Sequence, residues 1–347
     1  MFRRIRENPI NQARWRRFKR NRRGYYSMWL LLLLFCITLP AEFLANDRPL
    51  VVSYDSGLYF PVINDYPETT FGGELPLKTN YKDPYIKEKI SKKGWAIWPL
   101  IEYSYNTINY SVDNTPAPPS AENWLGTDDT AYDLLARTIY AFRISVLFGI
   151  LLASISSIIG VIAGGVQGYM GGLVDLLFQR FVEIWSGLPM LFMVIILGSF
   201  VDPNFWWMLL VMILFKWMTL VPVVRAEFLK ARNYQFVKAA QALGVRKWVI
   251  MWRHILPNAM VATLTFVPFV LKVSITTLTS LDYLGFGLPA EFPSLGELLK
   301  QGKNSLYAPW IGITSFVTLA TLLTLLIFIG EAVRDAFDTR KILKSED

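Results

Sequence analysis

Histidine and cysteine are nearly absent, with one of each in 347 residues. A disulfide framework, a zinc ribbon and a His-rich metal cage are therefore excluded. A Cys/His nucleophile pair would need lone Cys36 and lone His254 to meet, and Cys36 sits in an apolar run as a small hydrophobe. Charge is scarce too: charged residues make up 18% of the chain, against ~25% in soluble domains. A phosphate-binding loop is missing, because Gly302-Lys303 lacks both the upstream Gly spacing and a following Ser or Thr. What is there is apolar. Hydrophobic residues reach 53%, aromatics 15%, and the mean hydropathy is +0.34. That pattern argues for a membrane protein and against one or two soluble catalytic domains. The net charge of +8 would suit nucleic acid, but the basic residues gather on particular loops between apolar runs, so no nucleic-acid partner is expected.

A bilayer core of ~30 Å needs about 20 apolar residues of helix. Six runs qualify as candidates: 28–44, 144–166, 184–201, 205–224, 259–281 and 309–330. Gly160, Gly164 and Gly165 offer small packing positions in the second, and Pro189 lies inside the third. Trp206, Trp207 and Trp310 fall near span ends, as an aromatic belt would.

Lys and Arg counts orient the spans. Residues 1–27 hold ten basic residues against Glu7 alone, and are expected inside. The segment 42–138 holds eight basic and fourteen acidic residues, and is expected outside. The loop 225–258 holds seven basic residues against Glu227, and is expected inside; 282–308, with two basic and three acidic, is expected outside. Six spans with both termini inside satisfy every loop. A cleaved signal peptide is the other reading of the basic start, but no A-x-A site follows: Ala45 has Phe43 two residues before it.

Residues 45–138 are a different material, rich in Tyr, Pro, Asn, Asp and Gly, with β-favouring bits such as Leu50-Val51-Val52-Ser53-Tyr54. No nucleophile–base pair is evident, so a lid or spacer without an active site is expected there.

The stretch from Tyr234 to Asn258 is the most informative. Phe236, Val237, Ala240 and Leu243 fall at helical spacing and are expected to share one apolar face, with Ala239, Ala240 and Ala242 small enough for close approach. Gly244 suits a helix C′ position, and Pro257 suits the first turn of the next span. Two readings fit equally: a helix offered to a cytoplasmic partner, and an amphipathic helix held by lipid headgroups.

That stretch resembles the EAA loop of permeases in binding-protein-dependent ABC importers: Glu-Ala-Ala, three residues, Gly, nine residues, then Ile-x-Leu-Pro. Ala239, Ala240, Gly244, Leu256 and Pro257 match; Lys238 stands at the Glu position and His254 at the first Ile position. His254-Ile255-Leu256-Pro257-Asn258, Asn123-Trp124-Leu125-Gly126-Thr127-Asp128-Asp129 and Gly330-Glu331-Ala332-Val333-Arg334-Asp335 are similar to the oligopeptide, dipeptide and nickel subgroup. Gly57-Leu58-Tyr59-Phe60-Pro61, Phe71-Gly72-Gly73 and Trp95-Ala96-Ile97-Trp98-Pro99 resemble the second permease of microcin C/oligopeptide importers of Gram-negative bacteria. The run Leu278 to Gly285 lacks the Glu found there in many members of the wider subgroup.

The resemblance implies an all-α membrane protein with six transmembrane helices, one N-terminal plus a five-helix ABC importer permease core, and a periplasmic insertion of about 90 residues. The implied divisions are 1–27, a basic cytoplasmic N-terminus; 28–44, the first transmembrane helix; 45–138, the periplasmic insertion; 139–332, the core, with its coupling loop 225–258; and 333–347, a cytoplasmic tail. It implies no covalent chemistry and no cofactor on this chain, with ATP and Mg on a partner ATPase. It further implies a second permease completing a heterodimeric pore, a periplasmic substrate-binding protein, and residence in the bacterial inner membrane with both termini cytoplasmic. The implied ATPase-coupling residues are Phe236, Val237, Lys238, Ala239, Ala240, Leu243, Gly244, Leu256 and Pro257. Peptides or peptide-like compounds such as microcin C are the implied cargo; a nickel chelate or other small solute is the alternative.

Two lysines lie within apolar runs, where a charge must face protein or water. Lys272 is too deep for easy snorkelling, so it is a candidate for the translocation path, the alternative being a buried pair with an acid. Lys216 lies closer to a span end. Arg180 and Glu183 are expected to pair along one helix, with a contact to the partner permease as the second reading. An ion-driven secondary transporter would want repeated halves and intramembrane acids, and neither is evident.

Overall fold

The computed structural model describes residues 9–289 and 291–337. Helix α1 (Pro9–Arg20) leads into α2 (Arg22–Thr38), which starts where the Asn21 side chain accepts from Gly24 N at 3.2 Å. The expected first span falls on α2, whose 17 residues are fewer than the about 20 a perpendicular span needs.

The segment that follows is not helical throughout. Strands β1 (Val51–Tyr54), β2 (Gly57–Tyr59) and β3 (Gly94–Ile97) form an antiparallel sheet in the order β2-β1-β3, with Val52 paired to Tyr59 and to Ala96. Helix α3 (Pro84–Lys93) starts with Asp83 accepting from Tyr85 N at 2.9 Å. Val52, Tyr54, Phe71, Tyr81, Ile86 and Ile90 are buried together. Tyr54, Tyr59, Tyr66 and Tyr81 meet the Phe71 ring edge-on at 5.3–6.2 Å. This aromatic core comes from residues separated by turns, which is why no period was visible. The all-α expectation thus holds for the apolar helices but not for this lobe.

Helix α4 (Leu134–Met170) has 37 residues, about 55 Å at 1.5 Å each. It starts well before the expected apolar run and the expected boundary at 138, because Asp133 caps it through Ala136 N at 2.7 Å inside the lobe. The span expected over 184–201 is instead a bent pair, α5 (Gly172–Ser186) and α6 (Met190–Gly198), at 69° to each other. Pro189, without an N–H, stands at the start of α6. Helix α7 (Phe205–Lys216) passes through a short 3-10 turn into α8 (Val221–Ala231), extending the expected fourth span. After α9 (Gln235–Ala242), a π-helical turn at Ile250–Ile255 runs into α10 (Leu256–Leu284). Helices α11 (Leu295–Asn304) and α12 (Pro309–Phe337) complete the described chain.

Among the described residues, four helices are long and apolar enough to cross a membrane, five if the bent pair is one span. Gly160, Gly164 and Gly165 do pack as small positions. An added Cβ would stand 2.6 Å from Trp217 O at Gly160, 2.8 Å from Val221 O at Gly164 and 3.1 Å from the Phe228 ring at Gly165, so α4 lies close against α8 and the turn before it.

The contacts define two ends of the bundle. At one, the lobe packs on the start of α4: Tyr140 Oη donates to Ala45 O at 3.0 Å, and Trp310 Nε1 donates to Thr127 O at 3.1 Å. Trp310 therefore ties α12 to the lobe. At the other, Phe18 of α1 packs on Ala332 and Ala336 of α12, and Asn21 Nδ2 donates to Asp335 at 3.4 Å. The loop with α9 lies at this second end, against Val161 and Tyr169 of α4.

Candidate functional site

Helix α9 divides the apolar face that its spacing suggested. Val237 is fully buried and Ala240 is 8% exposed, in a cluster with Phe228, Ala231, Ile250 and Ile255. Phe236 and Leu243, on the same apolar arc, are left 44% and 83% exposed, and Lys238 and Ala239 are exposed as well. One part of the apolar face anchors α9 to its own chain; the rest is presented. At 3.6 residues per turn the four positions fall within one arc of about 120°, so what separates Val237 and Ala240 from Phe236 and Leu243 is which part of that face the chain's own helices cover.

The end of α9 is a Schellman motif. Val245 N donates to Ala240 O at 3.1 Å and Gly244 N to Gln241 O at 3.0 Å, with Gly244 at φ +74°. Gln241 Nε2 reaches Tyr169 Oη at 3.3 Å, tying α9 to the end of α4. Leu256 is half-buried and Pro257 exposed in the first turn of α10, where the missing N–H costs little. These two residues lie on α10 and not on α9.

Beside α9, Arg225 grips Asp175 with two bonds of 2.6 Å, joining α8 to α5. No local spacing points to this pair, because the two residues are 50 positions apart. Arg180 and Glu183 do form the same-helix pair, both well exposed.

Lys272, Val273, Thr276, Thr277 and Ser280 of α10 line a groove of about 480 Å³ with Leu323 and Ile327 of α12. The spacing 272, 276, 280 makes one polar stripe. Thr276 and Ser280 each donate to the carbonyl four residues back, at 3.0 and 2.8 Å. Lys272 is half-buried and forms no ion pair within 4.0 Å among the described residues. No cluster of His, Cys, Asp or Glu suited to a metal occurs among them either.

The Asn123–Asp129 motif is structural. Arg137 and Asp128 form a fully buried pair at 2.7 Å, and Asp128 also accepts from Thr130 and Tyr132 N. Asn123 donates to Asp133 and accepts from Asn109, both at 2.8 Å. The network joins the lobe to the start of α4.

A model of the binding-protein-dependent transport system inner membrane component family matches residues 136–343. The chain belongs to this family. The N-terminal transmembrane domain of oligopeptide transport permease C matches residues 2–61. The permease is 58% identical to the inner membrane ABC transporter permease protein YejE of Escherichia coli (strain K12), over 96% of this chain and 98% of that one. It is 52% identical to the peptidoglycan transport system permease protein YejE of Agrobacterium fabrum, over 97% and 95%. The oligopeptide transport system permease protein OppC of Bacillus subtilis is 33% identical over 69% of this chain and 78% of its own. The permease is a multi-pass inner-membrane transport subunit, and the resemblance read from residues 239–257 holds.

Proposed function

We propose that this permease is half of a heterodimeric pore that imports peptides or peptide-like compounds, driven by ATP hydrolysis on separate subunits. The presented face of α9, with Phe236, Ala239 and Leu243, carries the reading. A rigidly anchored helix with the rest of its apolar face free is suited to sit in a cleft of an ATPase. ATPase closure would then move α9 and, through Val237 and Ala240, the helices beneath it; different docking energies in two states drive the change. ATP and Mg act on that partner.

We read six spans: α2, α4, α5 with α6, α7 with α8, α10 and α12. Exposed Leu30, Leu32, Leu33 and Ile37 suit α2 to lipid. The ten basic residues before Met28 and the seven in 225–258 support a cytoplasmic side for the α9 end and both termini. The lobe is then periplasmic, on the side from which a substrate-binding protein delivers cargo. Peptide cargo is supported by the relatives' names, oligopeptide transport in one and peptidoglycan transport in another, and microcin C by the resemblance of the lobe. Lys272 and its polar stripe are read as a wall of the path, available to a cargo carboxylate.

Purification of the tagged chain from native membranes in mild detergent tests this. Mass spectrometry should recover a P-loop ATPase and a second multi-span permease. A homo-oligomer without an ATPase, under conditions that preserve other ABC complexes, refutes it.

A further inference from the structure

The lobe holds a cleft of about 1180 Å³, away from both α9 and Lys272. One wall carries Asp47, Arg48 and the stretch 78–87; the other comes from 100–124.

Its charges divide into engaged and unengaged. Arg48 and Lys78 both bind Asp65, at 2.6 and 3.0 Å. Asp83 caps α3, and Lys87 stands 5.0 Å from the Trp98 ring. Lys82, Asp47, Glu102 and Glu122 form no ion pair among the described residues. Asp47 accepts the Thr107 hydroxyl at 3.0 Å, and Glu122 meets the Ser111 hydroxyl at 3.5 Å. Lys82 is half-buried, with Nζ 3.1 Å from the centre of the Tyr103 ring. Burial, helped by the charge of Lys87, pushes its ammonium down to about 8, against the pull of Glu102.

A half-buried ammonium with no ion pair within 4.0 Å lacks a bonded anion, although Glu102, Asp47 and Glu122 act on it from farther off. The three free acids around it disfavour a polyanion. A ligand with one carboxylate and one ammonium complements both. Asn80 and Asn106 supply amide groups to the walls, and exposed Tyr110 and Trp124 supply ring faces. Such walls, mainly polar with a few ring faces, suit a small charged organic chain.

We propose that this cleft binds a short zwitterionic peptide, its carboxylate on Lys82 and its ammonium toward Asp47 and Glu102. The inference rests on the charges of the cleft and not on the cargo read for the pore, so the two fail separately.

The test uses the full-length permease in mild detergent. The probe is trialanine, with trialanine amide and N-acetyl-trialanine as controls. Acylation of each lysine by an amine-specific reagent is read by mass spectrometry. Trialanine should protect Lys82, and each control should protect at least about tenfold less. Lys92, outside the cleft and paired with Glu88, should label equally throughout. By calorimetry, Lys82→Gln and Glu102→Gln should each weaken trialanine binding about tenfold, and Lys92→Gln should leave it unchanged. Equal protection by all three probes, or none by trialanine up to about 10 mM, overturns the proposal. The wild-type protection pattern decides by itself if a variant fails to fold. Because the purified chain needs no ATPase for this readout, the result is independent of whether α9 docks one.

Discussion

Leu243 offers the sharpest test of the docking face. Its side chain is 83% exposed and touches little of its own chain, so Leu243→Ser should change the stability of the permease by less than about 0.5 kcal/mol. Docked in an ATPase cleft, the same side chain would lose that exposed surface. Full burial of a leucine contributes about 1.5–3 kcal/mol, and 83% of that is about 1.2–2.5 kcal/mol, or roughly 7- to 60-fold in Kd. Val237→Ala works in the opposite sense. Val237 is fully buried, so its truncation should lower stability first and ATPase affinity only indirectly. Ala240→Trp is a poor test, because Ala240 is 8% exposed and extra bulk would overpack the chain's own core, at about 1–3 kcal/mol. The assay is titration of the partner ATPase onto permease in nanodiscs, with thermal unfolding alongside. Wild-type affinity and uptake in a Phe236→Ala/Leu243→Ser double variant would refute the docking assignment.

Arg137→Met leaves the Asp128 carboxylate buried without its cation, and should cost about 3–5 kcal/mol in thermal unfolding, part of it restored by adding Asp128→Asn, which removes the charge and keeps an acceptor for Thr130 and Tyr132 N. Gly244→Ala meets open space but must hold φ +74°, so it should cost about 1 kcal/mol and speed hydrogen exchange of the Gly244 and Val245 amides. The lobe should gain stability as pH rises from about 8 toward the usual lysine value of 10.5. In that window folded Lys82 has shed its proton while the unfolded chain keeps it; below it both are protonated and the cost of burying the charge is fully present. Lys82→Met should flatten that rise in pH-dependent melts followed by Trp fluorescence. Lys272→Met should reduce uptake of peptides with a free carboxylate more than of their amides, and equal loss for both would argue against a path role.

Much of the arrangement was legible along the chain. Apolar run lengths located the bundle helices, and the turn at Gly244 was readable because a positive-φ cap is set by a few adjacent residues. The limits were equally physical. The break at 187–189 was hidden because Pro189 is tolerated within a span as well as between two helices. The lobe was unreadable by period, since its core depends on rings brought to Phe71 from distant turns. Asn123 and Asp128 stood out as a motif, but nothing local showed that their work is to hold the lobe to α4.

The sequence by itself determined the class of molecule, the charge asymmetry of its loops and the family of its loop helix, because length, composition and short spacing are properties of the chain before it folds. Only the tertiary structure decided which part of α9 is already occupied, that Arg225 holds Asp175, and that Lys272 and Lys82 form no ion pair among the described residues. Each of these depends on which distant helices and strands come to lie within a few ångströms of one another. Packing selects those neighbours, and spacing along the chain does not encode them.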